Sequence, residues 1–238
     1  TAALKSAPDN QLGEAAWEAY FSLFAPIYPA SDALQTLRSR YSGLVWSLLQ
    51  AASWAQNPEH LADCRADPDR DGHPECLLTS DTVYAQFEID EGSLTFLFAI
   101  TTGSNKKIGE VHQLVGPGSQ LITGLSDPTS WQLEAGLSSD PFSHPGAFVG
   151  PEHPRSILQE ENTLTFLYPD IGLVKRYRLI QHGIEVEYLN ALSYPPVSIA
   201  LLLDPWRRFF SNWGDELLFY SSETICGWKL ANGWKAQV

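Results

Sequence analysis

The stretch that decides the fold is LVKRYRLIQHGIEVEYLN, residues 173–190. β-branched and aromatic residues alternate with charged ones on both sides of His182 and Gly183, the composition of two strands folded back on a short turn. With those two residues as the turn, Tyr177 stands opposite Tyr188 and Leu179 opposite Val186 on one face, and Arg178 stands opposite Glu187 on the other. One face is apolar and the other charged, as a half-buried antiparallel sheet requires. Glu185 and Glu187 project to one side, where the basic residues of 175–178 make cross-strand ion pairs their expected role.

The same β-rich composition recurs in residues 82–89, 94–101, 107–115 and 164–168, each bounded by Gly, Pro, Asn or Asp. Residues 197–203 form a continuous apolar run suited to a strand buried on both faces. Asn232 and Gly233 read as the turn of a last hairpin between 224–230 and 234–238. Residues 116–154 differ: they are rich in Gly, Pro, Ser and Asp, with only 132–137 strand-like. They exceed the ~12–15 residues usual for a loop, which leaves a functional loop or a surface excursion.

Upstream of residue 57 the period changes. Trp17, Tyr20, Phe21 and Phe24 lie at the spacing of one helical face, and Pro26 and Pro29 end the pattern. Ser31 or Asp32 can cap a second helix, whose stripe of Leu34, Leu37, Tyr41, Leu44, Val45 and Leu48 runs on towards Gln56. The expected fold is therefore mainly β, a large antiparallel β-supersandwich at 57–238. A two-helix lead-in at 1–56 is expected to pack on it.

The 238 residues are 44% hydrophobic, enough for a sizeable core, and carry 28 Asp and Glu against 15 Lys and Arg. The formal charge of -13 repels phosphate backbones and anionic lipid, so neither nucleic acid nor membrane is an expected partner. No run approaches the ~18 apolar residues of a membrane span, and residues 1–10 lack the features of a signal peptide. The chain contains no Met, which suggests a processed chain or an excised fragment. Of the three Cys, Cys64 and Cys76 could bridge and leave Cys226 free. The compartment is open, with an extracellular one favoured.

Chemistry concentrates in CRADPDRDGHPEC, residues 64–76. Asp67, Asp69 and Asp71 alternate, Gly72 permits a bend, and Glu75 follows at the ninth position. His73 stands between them. Several oxygens converging at ~2.3–2.6 Å are what a hard cation such as calcium needs. The segment is not an EF-hand, because Leu78 occupies the twelfth position where a bidentate Glu belongs. Two other readings stand beside calcium: an acidic turn whose Asp side chains make only local hydrogen bonds, and a zinc site through Cys64, His73 and Cys76.

A second candidate site lies in residues 206–216. Trp206 and Trp213 offer flat aromatic platforms for a sugar ring, with Arg207 and Asp215 as hydrogen-bonding neighbours. The same Trp residues would serve equally as core packing. No GxSxG, HExxH, P-loop or GxGxxG motif is present. A sugar epimerase would need a carboxylate base facing a His acid, and His112, His144, His153 and His182 have no recognisable partner.

The succession of AASW at 51–54, Cys64, DPDRDGHPE at 67–75 and EGSLTFLF at 91–98 resembles the junction between catalytic and C-terminal regions in glycoside hydrolase family 57. GLVKRYRL at 172–179 followed by IEVEYLN at 184–190 is similar to the paired strands of the galactose-mutarotase-like sandwich found there. The resemblance covers roughly residues 40–238. It implies an accessory domain of a carbohydrate-active protein, structural or in contact with an α-glucan-like carbohydrate, whose partner is a missing catalytic domain. The family's catalytic motifs belong to a barrel and have no counterpart here, so no catalytic residue is carried over. A stand-alone sugar epimerase and a protein-interaction sandwich are the alternatives.

Overall fold

The computed structural model describes residues 2–22, 32–90, 92–100, 111–115, 120–124, 154–170, 172–181, 183–189, 198–202, 218–221, 226–229 and 235–237. Helices come first: α1 (Ala2–Lys5), α2 (Gln11–Ser22) and α3 (Asp32–Gln56). Asn10 starts α2 by accepting the Gly13 amide on its side-chain oxygen at 3.0 Å, and its own amide reaches the Ala52 carbonyl of α3 at 2.9 Å.

Antiparallel strands follow. β1 (Leu61–Ala66), β2 (Glu75–Thr79), β3 (Val83–Glu88), β4 (Ser93–Ile100) and β5 (Val111–Val115) form a five-stranded sheet in chain order. After β6 (Gln120–Gly124), a four-stranded sheet comprises β7 (Ser156–Glu160), β8 (Thr163–Tyr168), β9 (Leu173–Ile180) and β10 (Gly183–Leu189). β11 (Ser198–Leu202) pairs back to β6, and β12 (Leu218–Ser221), β13 (Cys226–Lys229) and β14 (Lys235–Gln237) make a three-stranded sheet. The chain is thus mainly β, an antiparallel sandwich preceded by helices. No helix among the described residues is long and apolar enough to cross a membrane.

The five-stranded sheet is covered on both faces. Cys76, Leu78, Val83, Ala85, Phe87 and Leu94 pack against Leu164, Phe166, Tyr168, Leu173 and Tyr177 of the four-stranded sheet. On the other face Leu77, Tyr84, Phe96, Phe98, Ile100 and Val111 pack against Leu44, Val45, Leu48, Ala51 and Trp54 of α3 and Leu12 and Ala16 of α2. Every residue of β4, SLTFLFAI, is buried, because an inner strand between two cores has no solvent side.

Several expectations are corrected. α2 does not bury Phe21, which is 63% exposed; its inner face is Leu12, Ala15, Ala16 and Ala19. These small side chains share a core with Ala51, Ala52 and Ala55 of α3, and helices with alanine at the contact can approach closely. Trp17 and Tyr20 are half-buried against the edge of the same core, as expected, and both pack on the exposed Phe21 ring. The side chains of Leu34, Leu37 and Tyr41, like Phe24, lie outside the described residues.

The β9–β10 turn is one residue earlier than expected: Ile180 pairs with Gly183, so Tyr177 stands opposite Val186 and Leu179 opposite Ile184. The register moves by two residues, which keeps the apolar and charged faces apart. Arg178 pairs with Glu185, and Arg176 with Glu187 at 3.2 Å, as cross-strand ion pairs. In the last hairpin Lys229 pairs with Lys235, a longer connection than a two-residue Asn232-Gly233 turn and a one-residue change that reverses which side chains share a face. β1, β2, β7 and β12 are additional strands, and β6 lies within the stretch read as a loop. Residues 132–137 are outside the described set.

Candidate metal centre

The acidic segment is the connection of the β1–β2 hairpin. Ala66 pairs with Glu75 at its mouth, and a disulfide between Cys64 and Cys76 ties the two strands just beneath. In the chain-entropy account a bridge closing so short a loop stabilises the fold by about 2–3 kcal/mol. It also corrects the zinc reading, since both sulfurs are consumed and neither can act as a thiolate ligand. The side chain of Cys226 lies outside the described residues.

Local hydrogen bonds shape the loop. Asp69 accepts the Asp71 amide at 3.1 Å, Asp67 the Gly72 amide at 3.3 Å, and Asp71 the His73 amide at 2.7 Å. The Asp69 and Asp71 bonds, each to the amide two residues on, are the Asx turns expected of an acidic turn, and the Asp67 bond reaches five residues on across the bend. Gly72 has φ 94°, a left-handed geometry that explains the glycine at the bend. Arg70 is left-handed too, at φ 62°, and its guanidinium lies 3.7 Å from the centroid of the Trp46 ring on α3. α3 passes close over the loop at Gly43, where a Cβ would come 3.2 Å from Asp69 Oδ2. At the far end of the helix the Trp54 indole N–H donates to the Ser80 carbonyl at 2.9 Å, pinning α3 to the β2–β3 turn.

Within this frame Asp67, Asp69, Asp71 and Glu75 each offer a carboxylate oxygen, all within 4.8 Å of one another. Such a cluster could hold a metal ion. Local hydrogen bonds within the loop account for the three Asp residues but not for Glu75. Its side chain is fully buried, and neither carboxylate oxygen has a hydrogen-bond partner among the described residues. An ionised carboxylate taken out of water without a partner costs several kcal/mol. Burial, reinforced by the charges of Asp69, Glu88, Asp71 and Asp67, pushes the Glu75 carboxyl up to about 9. Asp69 is raised to about 6, mainly by burial, against the lowering effect of the Asp71 amide. The Tyr84 hydroxyl is pushed upward by burial and by Glu75.

The hairpin thus brings together four of the five residues expected from sequence. His73 is exposed and its ring is not part of the convergence. Gly43 and Trp46, which wall the loop from α3, carry no local signal that would have found them. Of the glycan-site residues, Trp206, Arg207, Trp213 and Asp215 lie outside the described residues, as do His144, His153 and His182. His112 is on β5, opposite Ala99.

No protein-family model and no curated protein matches this chain. Among solved structures it is similar to the crystal structure of the 4-alpha-glucanotransferase from Thermococcus litoralis, at 13% identity and a TM-score of 0.35. The match covers 75% of this chain and 34% of that one, so the chain spans about a third of the enzyme's length. A likeness of that size assigns neither family nor activity.

Proposed function

We propose that this chain is a non-catalytic accessory β-sandwich of a carbohydrate-active protein, stabilised by one calcium ion in the β1–β2 hairpin. The observation that carries the ion is Glu75, a fully buried carboxylate with both oxygens unpartnered, set among three further carboxylates. A cation is the partner that such a group lacks. Calcium fits better than zinc, which favours nitrogen and sulfur, or magnesium, which demands near-ideal octahedral geometry and sheds water reluctantly. Asp67, Asp69, Asp71 and Glu75 would hold it, and the backbone carbonyl of His73, between Asp71 and Glu75 in the loop, would add a main-chain oxygen of the kind calcium accepts. The ion's role here is charge neutralisation and anchoring of the hairpin beneath α3.

Because a ligand bound only by the folded state stabilises it by mass action, calcium at ~100 times its Kd should add about 2.7 kcal/mol and raise the melting temperature relative to chelator. Asp69→Ala should abolish the rise. An unchanged melting curve in the wild type removes the calcium reading.

The carbohydrate side of the proposal rests on the sequence resemblance at residues 172–190 and on the aromatic and polar composition of residues 206–216. Trp213, with Arg207, Trp206 and Asp215 around it, is the proposed glycan contact, and a missing catalytic domain is the proposed partner. Trp213→Ala should weaken α-glucan binding at least several-fold while leaving the melting temperature within a few degrees. Unfolding of that variant would instead make Trp213 a core residue. Absence of glycan binding by the wild type would leave a purely structural module.

A further inference from the structure

All of the buried side-chain polar atoms without a hydrogen-bond partner among the described residues fall on four residues: both oxygens of Glu75, Tyr84 Oη, Gln86 Oε1 and Ser47 Oγ. These four are not scattered. The β2–β3 register sets Glu75 opposite Glu88, Leu77 opposite Gln86 and Thr79 opposite Tyr84. Residues two apart on a strand share a face, so Glu75, Gln86 and Tyr84 lie on one side of the sheet. That side faces α3, because Leu77 and Tyr84 belong to the core shared with the helix.

Ser47 completes the seam from the helix. It lies one turn beyond Gly43, which abuts Asp69, and two turns before Trp54, whose ring centroid is 5.6 Å from that of Tyr84. The seam therefore runs under α3 from the acidic loop to the Tyr84 ring, with Glu75 at its loop end. Native proteins leave few buried polar groups unpaired, and ordered water making 2–4 hydrogen bonds is the usual partner where several converge.

We propose that Ser47, Tyr84 and Gln86 form the outer shell of the cation site, joined through ordered water to Glu75 and to the inward-facing coordination positions of the ion. This rests on the calcium reading. Calcium takes about 6–8 oxygens, more than four monodentate carboxylates and one carbonyl supply, so water fills the remainder. An ion-bound water is a strong donor, and Gln86 Oε1 is an acceptor facing the seam. The Tyr84 and Ser47 hydroxyls are donors suited to the oxygen of Glu75 that does not face the ion. Outer-shell partners of this kind orient the ligand, and their loss typically weakens metal binding about 10–100-fold. These are positioning residues; none of them touches the ion.

The test is calcium affinity of the 238-residue chain, by equilibrium dialysis, for the wild type and for Tyr84→Phe, Gln86→Leu and Ser47→Ala, beside melting temperatures in chelator. Tyr84→Phe keeps the ring that packs on Trp54 and Phe98, so it reports on the hydroxyl alone. The expected result is a Kd raised about 10-fold or more in Tyr84→Phe and Gln86→Leu, with metal-free melting unchanged or higher because an unpaired polar atom has been removed. Variants that bind calcium with the wild-type Kd overturn the outer shell and leave the calcium site standing. A wild type that binds no calcium overturns both.

Discussion

In chelator the folded chain is expected to lose about 2–4 kcal/mol of stability between about pH 5 and pH 8, and calcium to reverse that slope. Glu75 titrates near its ordinary value in the unfolded chain and at about 9 when folded. Between those two values the folded state holds a proton that the unfolded state has released, so rising pH favours unfolding. Asp69 adds to the same trend at the acid end, between its ordinary value and about 6. The groups facing Glu75 are the carboxylates of Asp67, Asp69, Asp71 and Glu88 and the hydroxyl of Tyr84, none of which offsets its charge. The nearby cation, Arg70, is laid over Trp46.

With calcium bound the carboxylates are ionised and the ion competes with protons, so stabilisation by calcium grows as pH rises. Urea midpoints at the two pH values, with chelator and with calcium, read both slopes. Glu75→Gln should flatten the chelator curve. A wild-type curve already flat in chelator would mean that Glu75 is not held as described.

Removal of residues 1–56 should leave an insoluble or molten remainder. Truncation uncovers Leu77, Tyr84, Phe96, Phe98, Ile100 and Val111, the face of the sheet that α2 and α3 now cover. At ~1.5–3 kcal/mol for each large apolar side chain, the lost burial is on the order of 10 kcal/mol, comparable with the whole stability of a domain. The acidic loop would also lose its wall at Gly43 and Trp46. A soluble truncation with a cooperative transition like that of the full chain would show the helices to be dispensable, and near-ultraviolet circular dichroism with urea titration would detect it.

How much of this was legible in the sequence depends on how local the signal is. The helical stripe of α3 and the alternation in β9 and β10 are written in neighbouring residues, and all three elements are found. The faces of β9 and β10 survive the misplaced turn because a one-residue shift of the turn moves partners by two. β1 and β2 were not foreseen as strands, since LADCRA and ECLLT are short, interrupted by charge and tied by a disulfide rather than by a run of β-branched residues. The aromatic spacing of α2 finds only the edge of the buried face, Trp17 and Tyr20, because its centre is Leu12 and three alanines, which carry little hydrophobic periodicity.

The acidic loop shows the same division. Alternating carboxylates and a glycine at the bend are a local pattern, and the four that converge were all named from it. The depth of Glu75 is tertiary: it comes from the strand pairing that places it under α3, and from a glycine 32 residues upstream that lets the helix come close. The bridge excluded zinc only once the pairing of Cys64 with Cys76 was in view.

Equilibrium dialysis of the full chain against radiolabelled calcium, at about pH 7.5 and near-physiological salt, tests the central claim most directly. One ion per chain is predicted for the wild type, with binding lost in Glu75→Ala and Asp69→Ala. A wild type that retains no calcium, or a Glu75→Ala variant that binds it as the wild type does, would contradict it.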